Sequence, residues 1–292
     1  MPDTSDTSAS PLTKFERAAE LLAQADALVI AAGAGMGVDS GLPEFRGNEG
    51  FWKAYPALAA AQLDFTEVAD PRTFKTDMRL GWGFYGHRLH LYRQTQPHAG
   101  FGILKRWADA MPLGARVFTS NVDGQFQKAG FAPEQLHECH GSIHHLQCME
   151  PCQPSVWPAD DFAPEVDEAS CRLQNAPPLC PACGGLARPN ILMFGDWGWQ
   201  DGRQEAQYAR EEAWFAQVTA QLGRIVVVEM GAGTAIPSVR NFSQRVSRRY
   251  GARIIRINPR ESQVPSGEDV GIATGSLKAL ERIDAALKQL QQ

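Results

Sequence analysis

Apolar and polar positions along this chain follow two alternating periods. Residues 14–24 repeat apolar side chains at helical spacing, and Ala27-Leu28-Val29-Ile30 then forms a short unbroken apolar run. Segments of the same strand type, poor in Asp and Glu, recur at 116–119, 224–228 and 253–257, with helical patterns between them at 205–222, 239–250 and 277–290. A strand that is apolar at every position, not at every second one, is buried on both faces. Strands of that kind separated by helices predict an α/β protein with a doubly wound parallel sheet.

Two stretches break this alternation. Residues 48–97 carry Trp, Tyr, Phe and His in helical patterns and predict a helical insertion. Residues 142–190 hold prolines, acidic residues and four cysteines in two pairs, Cys148 with Cys152 and Cys180 with Cys183. Paired thiolates separated by a longer loop close a tetrahedral Zn2+ site, with no coordination position left for water. The other reading is buried or disulfide-bonded cysteines. The start of the chain carries no secretory pattern that favours disulfides, so structural zinc is the expectation. The module is poor in apolar residues, so metal binding is expected to supply much of its folding free energy.

Composition narrows the classes. Over 292 residues, 43% are hydrophobic and 21% charged, which suits a globular protein with an ample core. A net charge of −5 argues against broad nucleic-acid binding. The longest apolar stretch, at 27–34, is far too short to cross a bilayer. Residues 1–13, rich in Ser, Thr, Asp and Pro, read as a disordered tail. A reducing, cytoplasmic setting is the resulting expectation.

Candidate chemistry begins where the first strand runs into Gly33-Ala34-Gly35, since glycines let a backbone approach a pyrophosphate closely. The continuation, from Met36-Gly37-Val38-Asp39-Ser40-Gly41 through Pro43-Glu44-Phe45-Arg46-Gly47, resembles the sirtuin family of NAD-dependent protein deacylases. Further matching segments follow in family order. They are Thr119-Ser120-Asn121-Val122-Asp123-Gly124, His140-Gly141, the two cysteine pairs, Arg188-Pro189-Asn190 through Phe194-Gly195-Asp196, the glycines at 231 and 233, and Asn258-Pro259-Arg260-Glu261.

The resemblance implies a Rossmann-like NAD-binding domain built from residues 14–47, 98–141 and 191–292. The helical insertion (48–97) and the zinc-binding module (142–190) would form a smaller domain. It implies NAD as co-substrate, with Gly33, Ala34, Gly35, Phe45, Arg46, Ser120, Asn121, Asp123, Gly231, Gly233, Asn258 and Glu261 around it. It also implies that the acyl-lysine carbonyl oxygen attacks the nicotinamide ribose, giving lysine, nicotinamide and O-acyl-ADP-ribose. His140, Asn121 and Asp123 are the expected catalytic residues. An imidazole titrates near neutral pH, so His140 suits a general base acting on a ribose hydroxyl. Alternatives on the same residues are a mono-ADP-ribosyltransferase, an NAD glycohydrolase, or a zinc-stapled NAD- or ADP-ribose-binding module without turnover.

The chain also departs from the family pattern. Ser120 stands where Gln is usual and Phe126 where His is usual. Gly231-Ala232-Gly233-Thr234-Ala235 replaces a Gly-Thr-Ser loop, and Asp196 with Trp197-Gly198-Trp199 replaces a Glu and a Leu-Pro pair. Tyr85 and Arg88, three apart on one helical face, are similar to the Tyr-x-x-Arg pair of sirtuins that accept malonyl, succinyl or glutaryl groups. A guanidinium and a phenol together hold a terminal carboxylate. The other reading of this pair is a helix-face aromatic beside a solvated Arg; the resemblance implies Tyr85, Arg88, Phe194 and Gly195 as contacts to an acylated lysine in a protein substrate.

Overall fold

β1 (Ala27–Ala32) is buried along its whole length. Leu28, Ile30 and Ala32 enter one hydrophobic core while Ala27, Val29 and Ala31 enter another, as the two-residue period of a strand requires. The computed structural model describes residues 12–43 and 47–292. The tail expected at 1–13 therefore falls, up to residue 11, outside the described residues.

The other strands, in chain order, are β2 (Ala115–Thr119), β3 (Leu136–Glu138), β4 (Gly141–Cys148), β5 (Val156–Pro158), β6 (Val166–Asp167), β7 (Arg172–Leu173), β8 (Ala187–Ile191), β9 (Ile225–Met230), β10 (Arg253–Ile257) and β11 (Val270–Ile272). Among the described residues, six strands form one sheet in the order β11-β10-β9-β1-β2-β3, and every neighbouring pair is parallel. The chain winds outward from β1 to β3 on one side, crosses back to β9 and winds outward to β11 on the other. The strand order therefore reverses between β1 and β9, where a crevice opens beyond the carboxyl ends.

Helices Lys14–Ala23, Ala99–Ala110 and Ser276–Leu290 cover one face, and Gly202–Ala220 and Ser238–Tyr250 the other. The first begins with reciprocal capping: Thr13 N–H donates to the Glu16 carboxylate at 2.7 Å, and Glu16 N–H to Thr13 Oγ1 at 3.3 Å. On the second face Phe118 stacks on Phe242 with ring centroids 3.8 Å apart. The α/β doubly wound sheet expected from the sequence is thus the observed one.

Both interruptions pack together beyond this sheet. Helices Gly47–Ala54, Pro56–Ala60, Phe65–Val68, Pro71–Thr76 and Met78–Gln94 lie between β1 and β2. An antiparallel sheet in the order β5-β4-β8 and the β6–β7 hairpin lie between β3 and β9. Phe51, Trp82, Phe84 and Leu89 from the helices share a third core with Ile143, Leu146, Phe162 and Leu173. The cysteine-bearing segment thus borrows core from the helical insertion. No described helix is long and apolar enough to cross a membrane.

Candidate active site

The loops after β1, β9 and β10 interlock at the crevice. Gly33 N–H donates to Met230 O at 2.9 Å, Gly35 N–H to Gly231 O at 3.1 Å, and Gly231 N–H to Ile257 O at 3.1 Å. Gly231 has φ +58°, and a Cβ there would lie 2.3 Å from Met36 N, so only glycine lets these loops meet. Asn258 is fully buried behind them. Its amide donates to Ala232 O at 2.9 Å, and its Oδ1 accepts from Arg260 N–H and Glu261 N–H, each at 2.9 Å.

Beyond β2, Thr119 Oγ1 donates to Ala32 O (2.9 Å) and accepts Asn121 N–H (3.0 Å), while Asn121 Nδ2 donates to Gly33 O at 3.0 Å. Asp123 follows. Its Oδ1 accepts Gln125 N–H at 2.9 Å, and its carbonyl faces His144 Nε2 at 3.0 Å. Burial pushes the Asp123 carboxyl up to about 6, with the Gln125 N–H opposing and the Glu138 carboxylate adding to the rise. This is a strained group. Between 3.8, its unperturbed value, and about 6 the unfolded chain binds fewer protons than the native one, so stability falls as pH rises through that window. Asp123→Asn is therefore expected to stabilise the protein by on the order of 3 kcal/mol at pH 8 and by little at pH 4. Urea unfolding at the two pH values checks this, and a variant no more stable than wild type at pH 8 refutes the strain.

His140 stands between β3 and β4. Its carbonyl accepts Leu192 N–H at 3.0 Å, and Cys139 N–H donates to Thr119 O at 2.9 Å. Gly141 has φ +79°, and a Cβ there would fall 2.1 Å from Asn190 O, so the chain passes β8 only as glycine. The imidazole Nε2 lies 3.1 Å from Ser238 Oγ. Burial lowers the His140 pKa below its usual 6.5, and a hydrogen bond to the Ser120 backbone carbonyl opposes that shift. The ring is accordingly neutral at neutral pH. His137 is engaged elsewhere, with Glu211 at 3.0 Å and Gln204 at 2.7 Å.

Asn121, Asp123 and His140 line one cavity of 610 Å³, a size that suits a large ligand. Of the residues expected from the sequence, Gly33, Ala34, Ser120, Asn121, Asp123, His140, Gly231, Gly233 and Glu261 line it, as do Tyr85, Arg88 and Phe194. Gly35, Asn258 and Gly195 do not; they shape the loops whose neighbours do. Phe45 and Arg46 lie outside the described residues.

Tyr85 and Arg88 reach the cavity from helix Met78–Gln94, which Asp77 caps by accepting Leu80 N–H at 3.1 Å. Both are buried. The Arg88 guanidinium donates to Tyr92 Oη from Nε at 3.0 Å and from Nη2 at 2.7 Å, and lies 5.7 Å from the Tyr85 ring centroid. Tyr92 is a lining residue that sequence reasoning missed, although seven positions from Tyr85 and four from Arg88 keep it on their face. At the mouth, Phe194 packs edge-on against Phe65, with centroids 5.7 Å apart. Asp196 fixes this loop from beneath: it accepts both Arg188 Nη groups at 2.8 Å and Gly198 N–H at 3.1 Å, and the pair is fully buried. Trp197, beside it, stands wholly in solvent.

The four paired cysteines converge away from this cavity. Cys148 Sγ lies 3.6 Å from Cys183 Sγ, Cys152 Sγ 3.6 Å from Cys180 Sγ, and all four sulfurs lie within 4.8 Å of one another. A tetrahedron with metal–sulfur bonds of about 2.3 Å has edges of roughly 3.8 Å, so the set fits one Zn2+ and leaves no place for water. Gly185 N–H points at Cys183 Sγ at 3.4 Å, a contact that steadies a thiolate. Cys139 and Cys171 stay outside the cluster.

A parallel sheet with its cavity at the reversal of strand order defines a dinucleotide-cleft protein, here with an imidazole and a buried carboxyl in the cleft. The sequence model of the Sir2 family matches residues 33–215. NAD-dependent protein deacylase 2 of Pyrobaculum aerophilum is 31% identical over 93% of this chain and 95% of its own length. The NAD-dependent protein deacylase of Aquifex aeolicus is 27% identical over 90% of this chain and 95% of its own. Among solved structures, a Sir2 homologue in complex with NAD superposes with a TM-score of 0.66 at 21% identity, covering 97% of each chain, a likeness of fold. The chain belongs to the Sir2 family.

Proposed function

We propose that this protein is an NAD-dependent protein-lysine deacylase, releasing nicotinamide and O-acyl-ADP-ribose. The observation that carries the reading is the convergence of the two glycine loops, Asn121, Asp123 and His140 on one cavity at the β1/β9 reversal, in a chain of this family.

The loops at Gly33-Ala34 and Gly231–Gly233, with Ser120, Asn121, Asp123 and Glu261, would hold NAD. Bound there, NAD supplies a ribose carbon that accepts the acyl oxygen as nicotinamide leaves. Asn121, tied to Gly33 O, fixes the loop at that point, and Asp123 offers a carboxyl whose protonation changes near pH 6. His140, neutral at working pH, takes a hydroxyl proton on Nε2. Phe194 and Leu192 at the mouth exclude water. In this reading residues 14–47, 98–141 and 191–292 form the NAD-binding domain, residues 48–97 and 142–190 the smaller one, and an acylated lysine enters between them.

The finer reading is a preference for acidic acyl groups. Arg88 and Tyr85, with Tyr92 as the arginine's brace, lie at the cavity wall and suit a terminal carboxylate. Mass spectrometry of the products from acetyl-, succinyl- and unmodified-lysine peptides tests both levels. O-acyl-ADP-ribose is expected; ADP-ribosylated peptide or free ADP-ribose alone would refute deacylation. Arg88→Met is expected to lower kcat/KM for the succinyl peptide more than about tenfold and for the acetyl peptide less than about threefold. Equal losses would assign Arg88 to the fold.

A further inference from the structure

Ser238 opens the helix Ser238–Tyr250, directly after Pro237, and its Oγ lies 3.1 Å from His140 Nε2 across 98 positions of sequence. It does not line the cavity, although Val239, the next residue, does. Any influence it has on chemistry there passes through the imidazole. We propose that Ser238 is a positioning residue for His140, whose hydroxyl donates to Nε2 and so fixes the ring's rotation and its neutral tautomer with the basic nitrogen toward the cavity.

The direction of the hydrogen bond follows from the ring's other contact. The Ser120 backbone carbonyl accepts from the imidazole, and a carbonyl cannot donate. A ring that gives its proton to Ser120 from Nδ1 leaves Nε2 with a lone pair. Among the described residues, the Ser238 hydroxyl hydrogen satisfies that lone pair at 3.1 Å. The position is stiff, because Asn241 N–H donates to Pro237 O at 2.8 Å and closes the first turn of the helix around Ser238.

A hydroxyl that donates to the lone pair stabilises the neutral ring and opposes its protonation. The helix N-terminus beside it acts in the same sense, since its positive end disfavours an imidazolium. Around the ring, the titratable and charged side chains that share the cavity are Asp123 from the loop after β2, Tyr85, Arg88 and Tyr92 from helix Met78–Gln94, and Glu261 from the loop after β10. Arg240, on the helix of Ser238, turns to Glu261 at 3.2 Å. Ser238 is set apart from these by direct contact with Nε2. A ribose hydroxyl arriving at Nε2 would take the lone pair in place of the Ser238 hydroxyl, and would meet a ring already aimed and already uncharged.

The proposal rests on His140 as the general base, and the test separates the two. The His140 ring is followed by NMR titration in histidine-labelled protein, its signal among the 7 histidines identified by its absence in His140→Ala. Alongside, kcat/KM for an acyl-peptide is measured against pH. Ser238→Ala is expected to raise the ring pKa by about half to one unit and to move the acidic limb of kcat/KM upward by the same amount. Ser238→Thr, which keeps the hydroxyl, is expected to restore both. An unchanged ring pKa in Ser238→Ala overturns the positioning role. A ring pKa that moves while the limb of kcat/KM stays in place upholds the contact and overturns His140 as the base.

Discussion

His140→Ala is expected to slow deacylation by about 10²–10⁴-fold, the range that a positioned general base contributes. NAD affinity, read by calorimetry, should change by less than about threefold, because no other described group depends on the ring apart from Ser238 and the Ser120 carbonyl. Burial lowers the ring's pKa, so the wild-type base is unprotonated through neutral pH, and its rate should fall only as pH drops below 6.5. A loss of NAD affinity as large as the loss of rate would make the residue a support for the cleft. Undiminished deacylation would remove it from the mechanism.

The second large effect concerns the metal. Chelation, or Cys180→Ala, is expected to abolish zinc binding, one ion per chain by elemental analysis, and with it the ordered β5-β4-β8 sheet. Structural zinc supplies roughly 10–16 kcal/mol in small peptides, as much as or more than the roughly 5–15 kcal/mol net stability of a whole domain. The sheet's apolar residues Ile143, Leu146 and Ile191 belong to a core shared with helix Met78–Gln94. Unfolding should therefore spread to that helix while β1, β9 and β10, which pack in other cores, hold. Hydrogen exchange resolves the two regions. Zinc-free protein with full protection in β4 and β8 would contradict the assignment.

The strands at the centre of the sheet were legible because burial on both faces keeps nearly every position apolar, as in β1 and the first four residues of β9; the buried polar residues Glu229 of β9 and Arg256 of β10 are tolerated because they pair with each other at 2.5 Å. β3 and β11, three residues each, are too short to show a period. β4 was not legible either: its half-buried His144 and His145 blur the alternation. In the site, motifs named loops that reach the cavity but not which of their residues line it. Asn258 and Gly35 belong to those loops and turn their function to backbone support, which spacing alone does not reveal. Tyr92 had a local signal, its helical register with Arg88. Ser238 had none, because its contact with His140 exists only once the chain has crossed from β3 to β9 and back over the cleft.

β4 begins at Gly141, immediately after His140, and ends at Cys148, one of the four clustered cysteines. Its eight residues span about 23 Å between first and last Cα. This sets where the gene tolerates change in length. One residue inserted within β4 would reverse the facing of every side chain beyond it and carry the thiol away from its three partners. At the tip of the β6–β7 hairpin, residues 168–170 are exposed, and an insertion there is taken up by a loop at little entropic cost. Variation in size among chains of this design should therefore gather between the cysteine pairs, with the strand between His140 and Cys148 held at a constant length.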